Sequence, residues 1–189
     1  AFKSAAHYKM VSIGGLIPRK AMDILIKQFA RFKAIVADTS LEIFGDGSER
    51  NNLELLIRSL NVEHSVKLSG ICSRQIIAAT LKRSDAFVLA SRSETFGVAY
   101  IEALSCGVPV IATRCGGPEG FVHTGNGILV PVDDEEALLG AMKTMHRNRD
   151  FYNRKQIAAE TVMKFSPDAV ASQLEDVYQK AIEARTRQL

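Results

Sequence analysis

Two acidic residues stand in an otherwise apolar and small-residue stretch of this chain. Glu94 and Glu102 are separated by seven residues within SETFGVAYIEALSCGVPVIATRCGGPE, residues 93–119. Residues 98–104 around Glu102 are otherwise apolar, and an unpaired carboxylate in apolar surroundings is costly. This predicts that Glu102 has a hydrogen-bonding partner. The alternative is that Glu94 is an acid stabilised at a helix start while Glu102 faces solvent.

A predicted anion-binding element lies between the two acids. AFVLA (86–90) predicts a strand, and a helix is predicted to begin near Phe96–Gly97. The first N–H groups of a helix lack intrahelical acceptors and attract anions, above all phosphate. Glu102 leans back toward this N-terminus from about one turn inside, and Glu94 approaches it from the other side. A carboxylate near phosphate must accept hydroxyl groups to escape repulsion. The simplest ligand therefore has an anionic centre and hydroxyls at both ends, as a nucleotide sugar has, with ribose at Glu102 and the transferred sugar at Glu94.

Three further glycine-containing loops each follow a predicted strand. In TRCGGPEGFV, Gly116 and Gly117 could offer N–H groups to sugar or phosphate, or form only a tight connection. In IGGLIPRKAMDIL, Gly14 and Gly15 precede a predicted helix start at which Lys20 or Arg19 could neutralise a diphosphate. FGDGSERNNLELL lacks the third glycine of a dinucleotide fingerprint, and a structural strand-to-helix turn is the favoured interpretation.

The pattern of the whole chain predicts one α/β domain with a parallel sheet covered by helices on both faces, a Rossmann-like fold. In such sheets ligands bind beyond the carboxyl ends of the strands, where these loops lie. The predicted strands are 9–14, 41–45, 66–70, 86–90, 108–113 and 127–131. The predicted helices are 19–33, 49–60, 73–83, 97–106, 134–147, 151–163 and 168–186.

Composition excludes several classes of protein. A net charge of +3 with no aromatic-interleaved basic stripe argues against nucleic-acid binding. The three cysteines form no paired motif and indicate reduced thiols, which favours a cytoplasmic location. The four histidines are scattered, so no metal site is predicted. No apolar run is long enough for a membrane span, and the start without Met suggests a piece of a longer chain.

With these motifs, residues 9–185 resemble the C-terminal, donor-binding domain of retaining glycosyltransferases of the GT-B architecture, the group 1 or family 4 class. The resemblance is carried by SRSETFGVAYIEALSCGVPVIATRCGGPE, with support from GGLIPRKAMDILIKQFA, IFGDGSER and NGILVPVDDEEAL. It implies that residues 1–189 form the nucleotide-sugar domain, with an N-terminal acceptor domain absent from this chain. It also implies a UDP- or GDP-sugar donor, no metal or other cofactor, and an unknown acceptor in glycan or polysaccharide synthesis.

The resemblance also implies roles for individual residues. Glu94 and Lys20 match the catalytic acid beside the donor sugar and the diphosphate-binding lysine, and Glu102 matches the ribose-binding acid. The remaining donor-binding positions are the backbone at Phe96, Gly97 and Val98, the base-proximal Gly70 and Ile71, and the loop residues Gly15, Arg19, Gly116 and Gly117. Gly15 stands where the family usually has arginine, so either Arg19 or Arg114 compensates or the affinity for diphosphate is weaker. Ala21 in place of a usual glycine is expected to matter little.

Two alternatives stay open beside the transferase. The chain could be a nucleotide-sugar binding module with no catalysis of its own, because the acceptor hydroxyl is not positioned by it. A glycosidase would use Glu94 and Glu102 as paired acids roughly 5–10 Å apart, and it should ignore free nucleotides. The basic tail EARTRQL could contact the inner face of a membrane, although a solvated helix end is the favoured interpretation.

Overall fold

The computed structural model describes residues 7–186, and within them six strands form one parallel sheet in the order β3-β2-β1-β4-β5-β6. This order reverses between β1 and β4, which is the topological switch point of a doubly wound sheet. The predicted Rossmann-like parallel sheet is confirmed. The strands are β1 (Tyr8–Ile13), β2 (Thr39–Phe44), β3 (Val66–Gly70), β4 (Ala86–Leu89), β5 (Val110–Thr113) and β6 (Gly127–Val130).

Seven α-helices occur in the same described range and pack in two groups. The first group is α2–α1–α5 and the second is α3–α4–α6, while α7 contacts α6. They flank the sheet as the predicted helices do. The helices are α1 (Met22–Lys33), α2 (Arg50–Ser59), α3 (Arg74–Lys82), α4 (Val98–Ser105), α5 (Glu135–Arg147), α6 (Arg154–Phe165) and α7 (Pro167–Thr186).

The core is centred on β4 and β5, in which every residue is buried. Continuous burial is expected for central strands of a parallel sheet that has helices on both faces. Large aromatic side chains fill the space between the sheet and the helices, each contributing about 1.5–3 kcal/mol by burial. The fully buried aromatic residues are Tyr8, Phe29, Phe32, Phe44, Phe87 and Tyr100.

The glycines of the FGDG turn serve packing, as the favoured interpretation predicted. A Cβ at Gly47 would lie 2.5 Å from the carbonyl oxygen of Leu16, and one at Gly45 would overlap the Gly14 carbonyl. Backbone hydrogen bonds join the two loops, from Leu16 N–H to Asp46 O at 3.0 Å and from Glu49 N–H to Leu16 O at 2.8 Å. The β2–α2 loop therefore fixes the position of the β1–α1 loop by direct backbone contact.

The start of α1 differs from the prediction. Pro18–Lys20 form a short 3-10 turn, and α1 begins only at Met22 because Ala21 is left-handed, with φ 48° and ψ 43°. This conformation costs an L-residue roughly 1–2 kcal/mol, which glycine avoids. The alanine at position 21 is therefore not a minor departure, and Lys20 lies in the turn before the helix.

Replacing Ala21 by glycine tests this strain. Relief of the left-handed strain should offset the entropy cost of glycine, so the free energy of unfolding should change by less than about 0.5 kcal/mol. Ala30→Gly, inside α1, is the matched control and should lose about 1 kcal/mol. Urea denaturation of both variants gives the comparison. If Ala21→Gly costs as much as Ala30→Gly or more, position 21 is not strained.

Candidate functional site

The site lies where the loops after β1 and β4 meet at the carboxyl edge of the sheet. Met10 pairs with Ala86 and Val11 with Phe87, so the two strands are direct neighbours. Their following loops carry Lys20 and Glu94, which are 74 positions apart in sequence. The sheet topology therefore brings together the two residues to which the family resemblance assigns catalytic roles.

Lys20 and Glu94 form a largely buried ion pair. Lys20 Nζ lies 2.5 Å from Glu94 Oε1, and the side chains are 15% and 9% exposed. Ser91 Oγ donates a second hydrogen bond to the same oxygen at 2.7 Å. Glu94 Oε2 accepts no hydrogen bond from the described residues, so it is available to a ligand hydroxyl. The ammonium group has three donors, and this contact uses one of them.

The Gly-Gly loop after β5 holds the backbone of Glu94. Glu94 N–H donates to Cys115 O at 3.2 Å, and Gly117 N–H donates to Glu94 O at 2.9 Å, which forms a short parallel bridge. A Cβ at Gly117 would overlap the backbone of Phe96. Close approach of the two loops therefore requires glycine at this position. The loop is at least a tight connection, and its contact with ligand remains a prediction.

The N-terminus of α4 is open. Helices α3, α5 and α6 have side-chain caps from Ser73, Asp134 and Asn153, whereas α1, α2 and α4 have none. Helix α4 begins at Val98, directly after its N-cap residue Gly97. No described residue accepts a hydrogen bond from the N–H groups of Gly97 and Val98. Gly97 has φ 92°, which an L-residue rarely adopts. These N–H groups can bind an anion, as helix N-termini do.

Tyr100 fixes the first turn of α4 against β4. Its buried hydroxyl donates to Leu89 O at 2.9 Å, and a Cβ at Gly97 would lie 2.8 Å from its ring. Burial raises the pKa of the Tyr100 phenol, so the hydroxyl stays protonated and keeps donating at physiological pH. The N-terminus of α4 is therefore anchored to the sheet.

Glu102 is exposed on α4, so its apolar neighbours do not bury the carboxylate, and its pairing with a ligand stays a prediction. No described residue makes an ion pair or hydrogen bond with its carboxylate. It lines a groove of about 270 Å³ between α3 and α4, together with Arg74, Ile77, Ala78, Leu81, Ile101, Ser105 and Cys106. The carboxylate is free to accept a ligand from solvent, and the structure places it in contact with neither Lys20 nor Glu94.

The other predicted ligand positions are spread along the same edge. Gly70 ends β3 with φ 68°, and Ile71 after it is 85% exposed. Phe96 and Val98 are also exposed, at 48% and 60%, although the Phe96 ring packs on Phe121 and Phe165. Contact of these positions with a ligand remains a prediction.

The two arginines considered as substitutes for a loop arginine differ in their contacts. Arg19 is exposed, and its side chain has no partner among the described residues. The Nη1 atom of Arg114 lies 3.8 Å from Oε2 of Glu119, an ion-pair distance. Gly15 has no positive φ, and a Cβ there would lie 3.8 Å from Asp46 O, an ordinary contact. The backbone at position 15 therefore does not require glycine.

Sequence reasoning missed Ser91 and Arg92. Ser91 is fully buried and donates a hydrogen bond to Glu94, while Arg92 donates one to the turn that carries Lys20. Both lie in the SRSET loop after β4, directly before Glu94. Nothing in their spacing marks them, because the partner of Ser91 is local while side-chain partners of Arg92 lie 41 and 74 positions away. Their place after a strand at the carboxyl edge was the available signal.

Metal and thiol chemistry find no additional support. Within residues 7–186, no group of three or more His, Cys, Asp and Glu side chains could hold a metal ion. Partial burial raises the pKa of the Cys115 and Cys106 thiols, which keeps them protonated near neutral pH. In the same range no helix combines the length and apolarity needed to cross a bilayer.

The parallel sheet, with its change of direction in strand order between β1 and β4, defines a Rossmann-like α/β domain. The chain belongs to the group 1 glycosyl transferases, whose family model matches residues 3–162. This confirms the family indicated by the sequence motifs.

Three known proteins illustrate the similarity. N-acetyl-alpha-D-glucosaminyl L-malate synthase of Bacillus anthracis is 30% identical over 172 residues, covering 89% of this chain and 44% of that protein. A GDP-mannose-dependent alpha-(1-6)-phosphatidylinositol monomannoside mannosyltransferase of Mycolicibacterium smegmatis is 34% identical over 142 residues, covering 70% and 37%. The structure of Anabaena HepE in complex with UDP-glucose has a TM-score of 0.80 at 23% identity, covering 93% and 50%. The chain thus spans half or less of each protein.

Gly117→Ala tests the close approach of the Gly-Gly loop to the Glu94 loop. Its methyl group would overlap Phe96 backbone, so the free energy of unfolding should fall by about 1–3 kcal/mol. Gly120→Ala, in the same 3-10 turn with nothing within 4 Å of its Cβ, should change stability by less than about 0.5 kcal/mol. Chemical denaturation measures both, and equal losses would show that no specific loop contact is involved.

Proposed function

We propose that this chain is the donor-binding half of a two-domain, retaining glycosyltransferase and binds a nucleotide-diphosphate sugar along the edge described above. The observation that carries the proposal is the Lys20–Glu94 pair at the switch point, next to the uncapped N-terminus of α4. It puts a cation, free N–H groups and a carboxylate oxygen at one end of the sheet. A diphosphate linked to a polyol needs those three kinds of group.

The diphosphate is assigned to Lys20 and the N–H groups of Gly97 and Val98. As the bond to the sugar breaks, negative charge accumulates on the departing phosphate oxygen. Fixed donors aimed at that oxygen stabilise the charge without reorganising. Lys20 is paired with Glu94 in this structure, so binding requires its remaining donors, or a swing of its flexible stem, to reach the phosphate. No metal enters this mechanism, which stays a prediction.

The carboxylates are assigned to the hydroxyls at the two ends of the ligand. Glu94 Oε2 has no partner among the described residues and accepts from the transferred sugar, while Lys20 and Ser91 hold Oε1. Glu102 accepts from the ribose, and its exposure leaves it accessible. The base lies toward Gly70 and exposed Ile71 at the end of β3. Gly15, Phe96, Gly116 and Gly117 complete the edge.

Arg19 is the better candidate to supply the second positive charge. It lies next to Lys20, and within the described residues its guanidinium has no partner to give up. Arg114 lies farther along the edge after β5 and is already near Glu119. This assignment explains how a glycine at position 15 is compatible with diphosphate binding.

The acceptor belongs to the part of the transferase that this chain does not supply. The chain spans 44% of the Bacillus anthracis relative and 37% of the Mycolicibacterium smegmatis relative. The name of the second relative includes GDP-mannose, which supports a nucleotide sugar as donor. Alone, this half leaves the attacking hydroxyl unpositioned. We therefore expect the chain by itself to bind donor weakly and to transfer nothing. The cytoplasmic location and a peripheral membrane contact remain predictions, and residues 187–189 of the basic tail lie outside the described residues.

The positions of Glu94 and Glu102 do not support a glycosidase. Its two carboxylates must flank one bond. Glu94 is ion-paired beside β1, whereas Glu102 lines the groove between α3 and α4. The transferase half-site accounts for both positions.

Calorimetric titration with UDP-glucose, GDP-mannose and ADP-glucose tests the proposal. One nucleotide class should bind, and Lys20→Met should weaken that binding roughly ten-fold or more, since a charge-assisted contact is lost. Lys20→Arg keeps the charge and should lose less. Circular dichroism checks that each variant is folded, because Lys20→Met leaves the mostly buried Glu94 carboxylate without its cation. Binding of none of the three donors, or equal binding by Lys20→Met, would contradict the proposal, and sugar transfer by this chain alone would contradict its dependence on a second domain.

Glu102→Gln tests the ribose assignment separately. The change should weaken nucleotide binding by about 1–3 kcal/mol, the scale of lost charge-assisted hydrogen bonds. Glu175→Gln, also an exposed helical acid but on α7, is the matched control and should leave affinity unchanged. The same titration measures both variants. An unchanged affinity in Glu102→Gln would remove this residue from the site.

A further inference from the structure

Arg92 links three loops at the carboxyl edge of the sheet. Its backbone N–H donates to Arg19 O at 2.8 Å, and its Nη1 donates to Pro18 O at 2.7 Å. Its Nε lies 2.8 and 3.1 Å from the two carboxylate oxygens of Asp133. Pro18 and Arg19 precede Lys20 in one 3-10 turn, and Asp133 follows β6.

These contacts fix Lys20 relative to Glu94. The 3-10 turn Pro18–Lys20 has no side-chain cap and lies outside the α-helices, and Arg92 supplies two of its anchoring hydrogen bonds. Arg92 itself lies between Ser91 and Glu94 in the loop after β4. One residue therefore joins the backbone that carries the cation to the backbone that carries the carboxylate.

Asp133 extends this linkage to the β6–α5 loop. It is one of three described non-glycine residues with positive φ, at 56°, a conformation that aspartate and asparagine tolerate better than most residues. In the sheet, β6 is separated from β4 by β5, so Arg92 reaches across one strand to make this contact. Arginine suits the position because its planar fork can donate in two directions, which a lysine ammonium on one stem does less well.

The ion pair between Arg92 and Asp133 should matter more for the position of Lys20 than for the stability of the fold. Arg92 and Asp133 side chains are 39% and 49% exposed, and exposed ion pairs contribute little to stability. Their loss should therefore leave the fold almost unchanged. A displacement of about 1 Å at a charged binding group, by contrast, can cost far more in function.

We propose that Arg92 is a positioning residue: through Pro18, Arg19 and Asp133 it holds Lys20 where the diphosphate binds. The inference rests on the proposed function, because it takes Lys20 as the diphosphate-binding cation. It further assigns to Asp133 a part in donor binding from the far side of β5.

A double-mutant cycle in the full 189-residue chain tests this. UDP, GDP and ADP are titrated calorimetrically, and the tightest is compared with its monophosphate. Arg92→Ala should weaken diphosphate binding roughly ten-fold while monophosphate binding changes less than about three-fold. In the Lys20→Met background, Arg92→Ala should cause no further loss. Arg31→Ala, which removes an exposed two-contact pair with Glu136 between α1 and α5, should leave all affinities unchanged.

The Lys20→Met and Arg92→Ala results separate a failure of the proposed function from a failure of the positioning role. If Lys20→Met leaves diphosphate affinity unchanged, the proposed function fails. If Lys20→Met weakens binding but Arg92→Ala does not, or weakens monophosphate equally, the positioning role is overturned. Asp133→Asn is the second variant should Arg92→Ala not fold, since asparagine is tolerated at positive φ. It should weaken diphosphate binding selectively, and unchanged binding would overturn the role.

Discussion

The ion pair between Lys20 and Glu94 sets the constraint on which the edge of this molecule depends. Both charged groups are mostly removed from water, so each needs the other, and removing one partner of such a pair is strongly destabilising. The pair can form only because β1 and β4 are neighbours. Ser91, the Gly-Gly loop and Arg92 then hold the two backbones in place. The pair thus neutralises two charges that would otherwise be largely buried without a counter-charge.

The sequence was sufficient for the elements of the fold because the apolar runs are short, regularly spaced and separated by glycine-containing turns. It placed the strands to within about two residues, and the loops after β1, β4 and β5 at one edge. It misplaced the start of α1, because a left-handed Ala21 leaves no trace in apolar periodicity. Ser91 and Arg92 were out of its reach for a different reason: their roles depend on contacts that exist only after the sheet has assembled.

Glu102 shows how a linear pattern can mislead about burial. Its apolar neighbours occupy different sides of α4, with Tyr100, Ala103 and Leu104 buried and Val98 exposed. A run of apolar letters in a helix therefore does not make every position within it an interior one. The prediction of a ligand-binding carboxylate was based on the family motif as well as on burial, and only the burial argument is removed by the structure. The exposed position is what a residue that meets a soluble ligand would need.

The pairing of β1 with β4 also has a consequence for how the chain folds. Met10 and Ala86 are 76 positions apart (86 − 10), so this central contact closes a long loop that contains α1, β2, α2, β3 and α3. Closing it is entropically costly, and parallel sheets of this kind assemble slowly for that reason. The edge loops cannot approach each other before this closure. A chain that has formed its helices and the β1–β2 pair, but has not closed this loop, therefore lacks the ligand edge, which makes nucleotide binding a late event on the folding path.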